Sequence, residues 1–205
     1  MIEFYTANSS NGQRVAIMLE ECRLPYALHK VDLMGGEQHR PEFLRVNPAG
    51  AIPTIVDPAG PGGQPLALSQ SGGILLYLAE KTGRFLPADP VRRAYAYQWL
   101  AQALSDTAAA SASMFLLGNF APDKSEVNAQ WFGDRVVKFL RHADARLAER
   151  DYLADELSIA DFALYPVANV RRTLVDAAGD LPHLARWMAA LGSRPAVARA
   201  LAAAA

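Results

Sequence analysis

The chain has 205 residues, of which 51% are hydrophobic and 20% charged, with a formal net charge of −1. That balance belongs to a folded globular protein of one large or two small domains and excludes a disordered chain. With Lys and Arg nearly matching Asp and Glu, no long-range field draws the protein to nucleic acid or to acidic membrane surfaces.

The first eighty or so residues alternate in character. IEFYT reads as a short strand, after which Val15, Met18, Leu19 and Cys22 fall at i, i+3, i+4 and i+7, the apolar stripe of one helical face. ALHKVDL alternates imperfectly and predicts a second strand, completing a βαβ unit. RPEFLRVNPAGAIPTIVD then offers a short helix opened by Pro41, a turn at Asn47 to Gly50 and a β-branched strand from Thr54 to Val56. The Pro/Gly-rich DPAGPGGQP joins it to LALS as a hairpin. SGGILLYLAEKTG is helical, with Ser71 as N-cap and Gly83 as C-cap. The order βαβ, then ββα, closes a small mixed sheet.

After RFLPADP the alternation stops and the rest reads as helices, from about 91 to 117, 125 to 149, 158 to 174, 182 to 191 and 195 to 201. The expected domains are therefore 1–83, α/β, and 91–205, all-α, joined by a linker at 84–90. The closing ALAAAA is favoured by helix propensity but demanded by no core.

A lone cysteine, Cys22, excludes an intramolecular disulfide and any multi-cysteine zinc site, and suits a reducing compartment. MIEFYTANSS lacks the basic-then-apolar pattern of a leader, and no run approaches the roughly 18 apolar residues of a membrane span. A cytoplasmic location is expected. The four histidines, His29, His39, His142 and His183, show no metal-ligand spacing, so no metal is expected.

Four stretches could carry chemistry. At SSNG, the start of the first helix leaves unpartnered N–H groups and about half a positive charge, a place for an anion such as a thiolate. Ser9, Ser10 and Asn11 add side-chain donors there, and Gly12 lets a ligand approach the backbone; taken alone, the loop reads first as a helix cap. In NPAGAIPTIVD, Pro53 marks the rim of the sheet, and a cis Ile52-Pro53 bond would turn the N–H and C=O of Ile52 outward to an extended peptide. In SQSGG, Gln70 and Ser71 offer an amide, a hydroxyl and a helix start to a carboxylate. LSIADF is structural: Ser158 caps a helix, Asp161 reaches back to it, and Leu157 with Phe162 forms a hydrophobic staple. Cys22 sits on the apolar stripe as a packing group, and Tyr5 at a strand end reads as packed.

These motifs in this order resemble a cytosolic glutathione transferase over nearly the whole length, most of all the bacterial Nu-class and Ure2-like branch. The resemblance implies a thioredoxin-like N-terminal domain with a cis proline at Pro53, an all-α C-terminal domain and a homodimer. It implies glutathione as co-substrate, with Ser9 and Asn11 at the positions that place a hydroxyl and an amide near its sulfur and Ser10 as the alternate. Gln38 matches a residue near the glycyl end, Ile52 supplies backbone bonds to the cysteinyl unit, and Gln70 and Ser71 grip the γ-glutamyl group. The branch usually has Thr where Ser9 stands and Glu where Gln70 stands. AQALSDTAAASASMFLLGNF, after Trp99, also departs from the branch's aromatic Gly-Pro stretch, so its second-substrate pocket is not carried over. Trp99, Met114, Phe115 and Arg135 are the available candidates for that pocket, expected between the domains. The implied reaction is attack of the glutathione thiolate on an electrophile. The alternatives are glutathione-dependent disulfide or peroxide reduction, and a non-catalytic glutathione-binding module.

Overall fold

The computed structural model describes residues 1–204. Its frame is a strand of alternating character: β1 (Ile2–Thr6) buries Ile2, Phe4 and Thr6 on one face and turns Glu3 and Tyr5 to the other. α1 (Ser10–Cys22) leads to β2 (Tyr26–Lys30), which pairs with β1 in parallel. The short helix α2 (Pro41–Leu44) sets Phe43 edge-on to Tyr5, with ring centroids 6.0 Å apart. β3 (Thr54–Asp57) and β4 (Leu66–Ser69) form the hairpin, and β3 lies antiparallel to both β1 and β4, giving the order β2-β1-β3-β4. α3 (Ser71–Thr82) follows and packs beside α1. This is the expected thioredoxin-like arrangement.

The register has a consequence for function. Tyr5 lies opposite Thr54, and Thr54 opposite Ser69, so the loop after β1, the entry to β3 and the exit from β4 share one end of the sheet. β2 ends there too, with Lys30 beside Thr6.

The entry to β3 is fixed by Asn47. Its Nδ2 donates to the Ala51 carbonyl at 2.6 Å and to Thr54 Oγ1 at 3.2 Å, while its Oδ1 accepts from the Ala49 N–H at 3.1 Å. The Ile52-Pro53 peptide beyond it is cis.

The second half of the chain is helical: α4 (Pro90–Ala101), a π turn (Gln102–Thr107), α5 (Ala108–Asn119), α6 (Glu126–Leu147), α7 (Ile159–Val170), α8 (Arg172–Ala178), α9 (Pro182–Gly192) and α10 (Pro195–Ala203). The single helix expected over 91–117 is thus α4 and α5 joined through a wider turn. There the Ser105 hydroxyl donates to the Ala101 carbonyl and the Thr107 hydroxyl to that of Gln102, local bonds that compete with the regular helical ladder.

The chain packs as two units, Met1–Arg84 together with Ser193 onward, and Phe85–Gly192. This differs from the expected 1–83, 84–90 and 91–205 at both junctions. Phe85 is not linker: its carbonyl accepts the Ile159 N–H at 2.9 Å within the second unit. α10 is not part of the helical domain and packs on α1, where Arg194 holds Glu21 through two bonds of 2.6 and 2.9 Å and Arg199 holds Glu20 at 2.8 Å. The Ala-rich end therefore has a core after all, with Val197 and Ala200 fully buried. With α3 and α10 against it, α1 is enclosed well beyond the expected stripe, and Ala16 and Ile17 are as buried as Val15.

In the second unit the capping box of α7 forms as expected and does more than cap. Asp161 is fully buried; its Oδ2 accepts from the Ser158 N–H (2.9 Å) and hydroxyl (3.1 Å), and its Oδ1 from the Leu153 N–H (3.1 Å) and Trp187 Nε1 (2.9 Å). Burial pushes this carboxyl up to about 6, against the pull of Trp187 and its other donors, so it is ionised at neutral pH.

Asp161→Asn keeps the shape but turns an NH2 toward two of those donors, and the expected cost is about 2–3 kcal/mol in urea unfolding with an unchanged slope. Asn47→Ala leaves the loop before β3 without three bonds and should cost about 1–3 kcal/mol in the same measurement.

Candidate functional site

The loop after β1 is first a helix cap. Ser9 is extended, and its Oγ accepts the Gly12 N–H at 3.0 Å while its carbonyl accepts that of Gln13. The hydroxyl proton of Ser9 remains to be donated. Among the described residues, the N–H groups of Ser10 and Asn11 have no partner, which leaves two backbone donors beside that hydroxyl at the positive end of α1. Gly12 serves packing and not ligand approach: a Cβ there would meet Thr6 Oγ1 at 2.1 Å and the Ala7 carbonyl at 2.8 Å.

Asn11 is exposed and its side chain is held from behind. Arg14 Nη1 donates to Asn11 Oδ1 at 2.6 Å and to Ser71 Oγ at 3.2 Å. Arg14 is only 1% exposed, and burial lowers its guanidinium to about 10, which leaves it charged at neutral pH. Sequence periodicity missed this residue. The available signal was an Asn-x-x-Arg spacing that puts the two side chains on one helical face, just ahead of an apolar run.

Across the sheet end, Ile52 makes no backbone hydrogen bond to a described residue through its N–H or its C=O. Ser71 is not the cap that the sequence suggests. It is the first helical residue, Gln70 holds the cap position with a positive φ of 69°, and the buried Ser71 hydroxyl accepts from Arg14. The Gln70 side chain makes no cap bond and is exposed. A positive φ on a residue other than glycine is uncommon and recurs at ligand sites. Gln38 follows β2; its Nε2 donates to the Leu33 carbonyl at 3.3 Å, and its Oε1 is buried without a partner among the described residues. Ser9, Ser10, Asn11, Ile52, Pro53, Gln70 and Ser71 thus border the same end of the sheet, and Gln38 lies on the segment leaving β2 at that end.

Other candidates fall elsewhere. Tyr5 stacks on His29 with centroids 4.5 Å apart and lines a cleft of about 690 Å³ with Phe43, Glu37 and Arg40, on the face of the sheet opposite Phe4. Cys22 is buried, burial raises its thiol, and its Sγ lies 3.5 Å from Thr82 Oγ1. The four candidates for a second-substrate pocket all belong to the second unit. Trp99 is core, tilted against His142 at 4.7 Å; Met114 lies against Gly133; Phe115 is exposed; and Arg135 spreads over the rings of Trp131 and Phe139. Among the described residues no cluster of His, Cys, Asp and Glu can hold a metal ion, and no helix is long and apolar enough to cross a membrane.

Two family descriptions match the chain: "Glutathione S-transferase, N-terminal domain" over residues 8–81 and "Glutathione S-transferase, C-terminal domain" over residues 104–195. The chain is 39% identical to the disulfide-bond oxidoreductase YfcG of Escherichia coli, over 98% of this chain and 94% of that protein. Among solved structures it is similar to a glutathione transferase from Pseudomonas putida with one glutathione disulfide bound per subunit, at 36% identity and a TM-score of 0.90, covering 98% of this chain and 90% of that one. It is equally similar to a glutathione transferase from Burkholderia graminis with two glutathione molecules bound per subunit, at 35% identity and a TM-score of 0.90, covering 98% and 87%. The matched domains span both halves of the fold described above, and the chain belongs to the glutathione S-transferase family.

Proposed function

We propose that the chain binds glutathione across the shared end of the sheet and activates its sulfur at the N-terminus of α1. The carrying observation is the register Tyr5–Thr54–Ser69, by which the start of α1, the unbonded backbone of Ile52 and the Gln70-Ser71 turn share one end of the sheet. In this reading Ile52 pairs with the cysteinyl unit, Pro53 shapes that turn, Gln70 and Ser71 hold the γ-glutamyl carboxylate and amine, and Gln38 meets the glycyl end. Asn11 Nδ2 and the Ser9 hydroxyl donate to the sulfur, with Ser10 as the alternate.

A thiol of the cysteine type has a pKa of about 8.5, so only a few per cent is thiolate at neutral pH. Lowering it by about two units takes roughly 2.7 kcal/mol of preference for the anion. Two hydrogen bonds to a charged acceptor, at about 1.5–3 kcal/mol each, with a helix-end contribution of about 0.3–1, are sufficient. No general base is needed. The thiolate then attacks an electrophilic carbon, displacing or adding without further help from the first unit.

A second reading has support from the relatives: the name of the Escherichia coli protein and the glutathione disulfide in the Pseudomonas putida structure. Here the thiolate attacks one sulfur of a disulfide, the S–S bond breaks, the other sulfur leaves as thiolate, and a mixed disulfide with glutathione forms. A second glutathione thiolate attacks that mixed disulfide, releasing glutathione disulfide and the second product thiol. The working form in either reading is a cytoplasmic homodimer.

Turnover of an aryl halide, a small disulfide and a hydroperoxide, measured beside glutathione binding, separates the readings, and tight binding without turnover of any of the three leaves a binding module. Asn11→Ala should move the pH profile of whichever reaction occurs upward by about one unit and lower its rate at neutral pH by no more than about threefold, and by less as the pH rises toward the free thiol's pKa. An unchanged rate and pH profile removes Asn11 from the thiol site.

A further inference from the structure

Asn and Gln amides present an oxygen on one side and an NH2 on the other, and the partner decides which is which. A guanidinium has donors only. The 2.6 Å contact with Arg14 therefore assigns the oxygen of Asn11 to the buried side and turns its NH2 outward, where it has no partner among the described residues. The same nitrogen, Nη1, carries two hydrogens, and its second contact is Ser71 Oγ. A hydroxyl that accepts at its oxygen still has its proton to give. Arg14 thus stands behind both side chains, and in each case what it leaves facing away from itself is a donor.

We propose that Arg14 is a positioning residue of the glutathione site, fixing Asn11 so that its NH2 meets the sulfur and Ser71 so that its O–H meets the γ-glutamyl carboxylate. The role rests on the glutathione reading above. One enclosed cation sets both the cysteinyl sulfur and the γ-glutamyl end of the tripeptide, although the two side chains it holds are sixty positions apart in sequence. It touches neither itself. Its charge also polarises the Asn11 carbonyl and the Ser71 hydroxyl, which strengthens the donors on their far sides. The cation is enclosed by α1 and the start of α3, so water screens it little.

The test titrates the thiol of bound glutathione by its ultraviolet thiolate absorbance and measures glutathione affinity by calorimetry. In the unaltered protein the bound thiol should titrate about two units below free glutathione. Arg14→Met removes both donors and should raise that pKa by about one unit and weaken binding about tenfold. Arg14→Lys restores most of both, because a single ammonium nitrogen also carries enough hydrogens for two bonds. Where Arg14→Met does not fold, Arg14→Gln, too short to serve both partners, should show the same rise. Combining Arg14→Met, or Arg14→Gln in its place, with Asn11→Ala should raise the thiol pKa no further than Asn11→Ala alone, since Arg14 acts on the sulfur through Asn11.

A residue needed only for packing lowers the melting temperature in the folded variants and leaves the bound-thiol pKa where it was; that result overturns the positioning role. So does an additive double variant. If the unaltered protein does not bind glutathione, or binds it without lowering the thiol pKa, the glutathione reading itself fails and takes the role of Arg14 with it.

Discussion

The antiparallel pairing of β3 with both β1 and β4 is the constraint from which the arrangement of the first unit follows. Because β3 runs against both neighbours, its beginning coincides with their ends, and the pairs Tyr5–Thr54 and Thr54–Ser69 set that coincidence to the residue. A slip by one position would turn every side chain of β3 to the other face and move the Ile52 backbone away from α1. Ile55, fully buried beneath the helices, resists that slip, and Asn47 closes the loop that delivers β3 to its place. At the other end of the strand, Asp57 fixes the hairpin to α3. Burial alone would raise its carboxyl, but Lys81, Tyr77 and the Ala59 N–H together hold it below the usual range.

Arg14 in the first unit and Asp161 in the second are both enclosed charged side chains, and the two are used in opposite ways. Taking such a group out of water costs several kcal/mol unless its partners satisfy it. Asp161 is satisfied by a closed set: four donors from Leu153, Ser158 and Trp187, with the only hydroxyl among them also accepting from the Ala160 N–H. Nothing is left over, and the network ties the start of α7 to α9. Arg14 is bound to partners that each keep a donor in reserve, the amide nitrogen of Asn11 and the proton of Ser71. The first network ends in structure. The second leaves two donors at the end of the sheet where α1 and α3 begin.

That contrast explains what could be read from the sequence. The strands, the helix from Ser71 and the Ser158–Asp161 box are local signals, carried by residues within a few positions of one another, and they were legible. So was the set of loops around the sheet end, once their order along the chain pointed to a family. The residues that escaped were those whose partners are distant. Periodicity assigns a charged residue such as Arg14 to the outside, whereas in the fold it is buried and bonded to the distant Ser71. It assigns α1 one buried face, because α10 returns from the end of the chain to cover another. Ser71 looked like a cap because it is a serine before a helix; one residue of shift, to Gln70 at positive φ, released its hydroxyl for Arg14.

The proposed thiol site also bears on which reaction suits it. Lowering a thiol from about 8.5 to about 6.5 raises its thiolate fraction at pH 7 about twenty-fivefold. A less basic thiolate is a poorer nucleophile, and with a Brønsted slope of about 0.4–0.5 that offsets the gain to about threefold. Attack on carbon therefore draws little of its rate from thiol activation and most from how well the electrophile is held. Thiol–disulfide exchange is different, because a glutathione thiolate attacks twice in each turnover, first the substrate disulfide and then the mixed disulfide formed from it. In the proposed site, donors at Ser9 and Asn11 would serve both attacks of exchange and the single attack of conjugation. The long polar connection between β1 and α1 is thus most useful to chemistry in which a glutathione thiolate attacks more than once in each turnover.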